Sequence, residues 1–82
     1  MTCYLRVFVA QEHVLAVHTS DYPIEGFVLT EGVDAVIDAS LDQPFTDSAL
    51  LLPRLGLAKG LLTLDGRAVD KQAMAAVPGD PA

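Results

Sequence analysis

Three groups of residues have the types needed for chemistry. Cys3, His13 and His18 are the only cysteine and histidine side chains. A metal site would need them to converge from a strand start, a turn and a strand end. Hairpin geometry could bring Cys3 and His18 together, but no C-x-x-C or H-x-x-x-H spacing supports zinc. A Cys–His nucleophile would also need a cleft and a third group to orient the base, and a domain of 82 residues has little room for one. Surface histidines and a buried or incidental thiol are the simpler reading. Asp34, Asp38 and Asp42 recur every four residues and Asp47 follows. Asp34, Asp38 and Asp42 share a side in a helix or a strand, and a solvated face accounts for them. The alternative is an acidic patch that steers a basic partner. Calcium is disfavoured, because no D-x-D-x-D-G register is present. Asp65-Gly66-Arg67 reads as a type I′ turn followed by a solvated arginine, or by one that grips a partner carboxylate. No catalytic residue, metal set or cofactor site is expected from these patterns.

The bulk properties point the same way. Hydrophobic residues make up 51% of the chain, charged residues 20%, and the net charge is −6. That balance disfavours disorder. A pI near 4.4 with five basic residues repels phosphate, so nucleic acid is disfavoured. A domain this small buries only roughly 60–65% of its unfolded surface. The apolar fraction is high for the core it can close, and some apolar side chains should face a partner. Charge is uneven: eight acids and no Lys or Arg lie between Glu12 and Asp47, whereas Arg54, Lys59, Arg67 and Lys71 all come later. One cysteine allows no intrachain disulfide. The opening residues lack a secretory pattern, and no apolar run reaches the roughly 18–20 residues of a membrane span. A cytoplasmic protein is expected.

Positioning elements are mostly strands. Tyr4–Ala10 and Val14–His18 read as a hairpin around Gln11-Glu12-His13. Thr19–Pro23 is turn chemistry, and Ile24–Thr30 a third strand. Val33–Leu41 fits either helix or strand, and its β-branched content favours strand. Asp42–Ser48 is a loop. Ala49–Leu57 carries Pro53 and reads as a short turn or helix leading into a strand. Leu57–Leu64 is the next strand, with Asp65-Gly66 as a hairpin turn. Asp70 is expected to cap a short helix over Lys71–Val77, ended by Pro78-Gly79. The fold class expected is mostly β: a small antiparallel β-barrel, SH3-like, with a short C-terminal helix. Residues 1–78 form one domain and 79–82 a flexible tail.

Several stretches resemble the CheW-like adaptors of bacterial chemosensory arrays. Tyr4–Val17 (YLRVFVAQEHVLAV) is similar to that domain's opening hairpin. Gly26–Asp34 (GFVLTEGVD) with Val36-Ile37 resembles its G-x-x-V-D-x-V stretch, and Leu55–Val69 (LGLAKGLLTLDGRAV) its later hairpin. The resemblance implies a shortened or divergent member, a single CheW-like subdomain. It implies a non-catalytic adaptor that couples a chemoreceptor tip to array components, among them a histidine kinase or another CheW-like protein. In a shortened form the kinase contact is the one expected to be lost. Together with the apolar excess, it makes Val33, Val36, Leu55, Leu57 and Arg67 the expected partner-binding residues. The alternatives are a small self-associating structural subunit, possible as a homo-oligomer, and an acidic inhibitor or mimic that binds a basic protein surface.

Overall fold

A computed structural model describes residues 1–26 and 32–76. Alternation of side chains across β1 (Cys3–Ala10) explains the architecture. Cys3, Leu5, Val7 and Val9 point to one face and are buried. The opposite face carries Tyr4, Arg6 and Phe8, and Arg6 is buried there too. A strand buried on one face and at least partly covered on the other suits the middle of a sheet. β1 accordingly pairs antiparallel with β2 (His13–Ser20) on one side and β3 (Ala35–Leu41) on the other. The Val33–Leu41 stretch is therefore a strand over most of its length. β7 (Lys71–Ala76) extends the sheet beyond β3, giving the order β2-β1-β3-β7.

The second sheet is smaller and antiparallel, ordered β4-β5-β6 from Leu55–Ala58, Leu61–Leu64 and Arg67–Ala68. A short helix, α1 (Ser48–Leu51), and a 3₁₀ turn at Leu52–Arg54 lead into it. Asp47 caps α1 by accepting the Ala49 N–H at 2.8 Å, which satisfies one of the otherwise unpaired amides at a helix start. Leu51 is the helix's buried anchor. Between the sheets, Cys3, Leu5, Val7, Ile37 and Leu41 meet Leu51, Leu62 and Val69 in one apolar core.

Three two-residue turns connect adjacent strands, each with both central residues at positive φ: Gln11 and Glu12 (51° and 64°), Lys59 and Gly60 (54° and 80°), Asp65 and Gly66 (54° and 84°). These are type I′ values, whose twist matches that of the flanking strands. The expected hairpin at Asp65-Gly66 is present.

Three expectations are corrected. Lys71–Ala76 is a strand, not a C-terminal helix. Its Ala, Lys, Gln and Met are all good helix formers, but intrinsic propensity is a weak force, and pairing with β3 overrides it. Leu57–Leu64 is not one strand, because Lys59-Gly60 folds it into the β4–β5 hairpin. Ile24–Gly26 is not in a strand; the rest of the expected Ile24–Thr30 strand, like the tail at 79–82, lies outside the described residues. What stands, among the described residues, is a mostly β fold of two antiparallel sheets with one short α-helix.

Candidate functional site

The two sheets meet along a seam between β7 and β5, and one side chain closes part of it. Gln72 is on the core face of β7, opposite Ala39. Its Oε1 accepts the Leu62 N–H at 2.7 Å, and its Nε2 donates to the carbonyls of Leu62 at 3.0 Å and Val69 at 2.7 Å. The amide thus takes the place of a neighbouring strand for the backbone of Leu62, while the Val69 N–H also donates to the Leu62 carbonyl.

Two residues further along β7 the seam opens. A cleft of about 440 Å³ lies there, floored by Val9, Ile37, Leu57 and Met74. Ile37 is opposite Met74 in the β3–β7 ladder. Met74 is half exposed, at 54%, and Leu57 is half-buried against the core. The rim is charged. Glu12 and Asp34 stand on one lip, and the Lys59-Gly60 turn forms part of the boundary. Asp34 is held in place: its amide donates to the Val9 carbonyl at 2.7 Å, and its carboxylate accepts the Gln11 N–H at 2.7 Å. That second bond pins the β1–β2 turn, in which Gln11 and Glu12 adopt a conformation uncommon for side-chain-bearing residues. The acidic lip is therefore built by a hairpin turn and the start of β3 together.

On the other face of the large sheet, Arg6 and Asp38 are cross-strand partners. Arg6 donates to both carboxylate oxygens, Nε to Oδ1 at 2.8 Å and a terminal nitrogen to Oδ2 at 3.0 Å. These hydrogen bonds raise the guanidinium's pKa further, against the opposing effect of burial. A cavity of about 340 Å³ adjoins this pair, between Tyr4, Ile24, Ser40 and Lys71. Among the described residues, no buried side-chain nitrogen or oxygen lacks a hydrogen-bond partner.

The expected contact residues are dispersed. Val33 and Val36 are buried, at 5% and 3% exposure. Leu55 and Leu57 pack partly into the core, and Arg67 is exposed. Leu57 lines the seam cleft, while Arg67 lines a separate cavity beside Leu64 and Lys71. Cys3 and His18 do not come together. His18 is opposite Arg6 and so shares its face, whereas Cys3 is on the core face with Leu5. No group of three or more His, Cys, Asp or Glu among the described residues is arranged to hold a metal ion. The cleft residues missed in the sequence are Val9, Ile37, Met74 and Lys59. The available signal was Lys-Gly between two apolar runs, a hairpin turn that brings the Leu57 end of β4 back over the large sheet. No protein-family model, no curated protein and no solved structure matches this chain.

Proposed function

We propose that this domain is a non-catalytic adaptor, docking to another protein through apolar side chains that its own core does not take in. The observation that carries the reading is the exposure of Leu15, Tyr22, Phe45, Leu50, Leu61 and Met74 on a domain carrying six net negative charges. Large apolar groups left in water are a standing cost that a partner can relieve. The resemblance to CheW-like adaptors makes a chemoreceptor tip the first partner, and a histidine kinase or a second CheW-like protein the next. The small-barrel form of that family receives support from the two seams: β2 packs beside β4, and Gln72 bridges β7 to Leu62.

Capture of the chemoreceptor's cytoplasmic fragment by the tagged full chain tests the reading. Binding that is lost when Leu15 and Leu50 are both changed to Glu supports it; failure to capture either receptor or kinase sinks it. A second reading, self-association, is favoured by β7, which among the described residues pairs only with β3. Its backbone edge offers a second copy a strand to pair with.

A further inference from the structure

We infer that the seam cleft between β7 and the β4–β5 hairpin is a specificity pocket for one apolar side chain of a basic partner segment. This rests on the docking reading and names the chemistry of the partner at one position. Three observations lead to it. First, the cleft is a built feature. Gln72 ties the seam together at Leu62 and Val69, two residues along β7 from the opening at Met74. Its floor of Val9, Ile37, Leu57 and Met74 presents no hydrogen-bonding side chain, so what enters is apolar.

Second, the acidic lip is fixed. Asp34 is held by hydrogen bonds at both its amide and its carboxylate, and Glu12 lies in the same pinned turn. Both face the cleft, and neither forms an ion pair among the described residues. A cation beside the apolar anchor would meet two carboxylates there. The pocket therefore selects a segment with a basic residue beside its apolar anchor.

Third, the charge of the whole chain agrees with the local pattern. Arg6 and Arg54 are committed to Asp38 and Asp65, which leaves three of the five basic residues against nine of the eleven acids. A basic segment is drawn toward this surface and an acidic one is turned away.

The test is an NMR titration of the isotope-labelled full chain with three acetylated, amidated tripeptides: Arg-Leu-Arg, Glu-Leu-Glu and Arg-Ser-Arg. Arg-Leu-Arg should shift the amides of Val9, Ala35, Ile37, Leu57 and Met74. Replacing its leucine with serine should weaken binding about tenfold to a hundredfold, the worth of a buried leucine side chain. Reversing the flanking charges, or changing Glu12 to Gln, should weaken it roughly threefold, as expected of exposed charge pairs. Adding about 0.5 M salt should act in the same direction. Equal binding of the Arg- and Glu-flanked peptides overturns the inference. So do shifts centred on other residues, or movement of the cleft amides on protein concentration alone, which would make a second copy the occupant. If all three peptides leave the cleft silent while the receptor fragment is still captured, the specificity pocket fails and the docking reading stands. Loss of capture with a responsive cleft gives the reverse.

Discussion

At the scale of single residues, two ion pairs with similar geometry have different consequences because their surroundings differ. Arg6 is 8% exposed and its only carboxylate partner among the described residues is Asp38. Removing Asp38 leaves a largely buried guanidinium whose remaining hydrogen bond among the described residues is a long 3.5 Å contact to the Ile24 carbonyl. Asp38→Ala should therefore cost about 1–3 kcal/mol, measured as a lower urea midpoint with an unchanged m-value. Asp38→Asn, which keeps an acceptor for Arg6, should cost less. Arg54 and Asp65 are also paired, at 2.6 Å, but lie in the open with side chains 44% and 56% exposed. Hydrogen bonds from Arg54 hold the Asp65 carboxyl below its ordinary pKa. A carboxyl whose pKa falls on folding adds stability above its unfolded pKa and loses it as pH drops through the folded value. Solvent screening keeps that effect small. Thermal melts at pH 7 and at about pH 3, below the usual aspartate range, should show a slightly smaller fall for Asp65→Asn than for the wild type. The Asn-Gly pair also suits the type I′ turn, so the variant should fold normally at pH 7.

At the scale of elements, turn chemistry and β-branching were legible in the sequence, and pairing across the sheet was not. The β1–β2 hairpin could be read from YLRVFVA and VLAVH around a polar break, and Asp65-Gly66 announced its own turn. Val33–Leu41 resolved toward strand because Val36 and Ile37 sit well on a pleated sheet. KQAMAA was misread because each residue in it tolerates a helix, and only the tertiary partner β3 decides otherwise. Gln72 makes the point most sharply. In the sequence it is one polar residue in an apolar-leaning hexapeptide, yet in the fold it makes two hydrogen bonds to Leu62 of the other sheet and a third to the Val69 carbonyl just past β6. Gln72→Ala should leave the Leu62 N–H without its acceptor and cost about 1–3 kcal/mol. Hydrogen exchange at the Leu62 amide should quicken well beyond that at Leu5 or Val7, which are held inside the β1 ladders. Equal changes at all three amides would mean that Gln72 supports the whole fold and has no particular role at the seam. The candidate site was hardest to read for the same reason. Val9, Ile37, Leu57 and Met74 come from four strands, and no local pattern announces that they share a cleft.

At the scale of the whole molecule, exposed apolar surface and net charge oppose each other. Leu15, Leu50, Leu61 and Met74 remain half exposed or more, and β7 offers an open edge among the described residues. Either feature promotes association between copies. Six net negative charges act against it, because like-charged copies repel while a basic partner is attracted. The balance shifts with pH. As carboxylates take up protons toward the pI near 4.4, the repulsion fades and the apolar and edge contacts are no longer opposed. Light scattering should therefore show a concentration-independent monomer at pH 7 in dilute salt, and growing association as pH approaches the pI. Raising salt at pH 7 should reproduce part of that association by screening, and Met74→Glu should move it to lower pH by adding negative charge next to the β7 edge. A closed oligomer of constant size across this pH range would instead make the apolar surface a permanent subunit interface, and the self-associating reading would displace the adaptor.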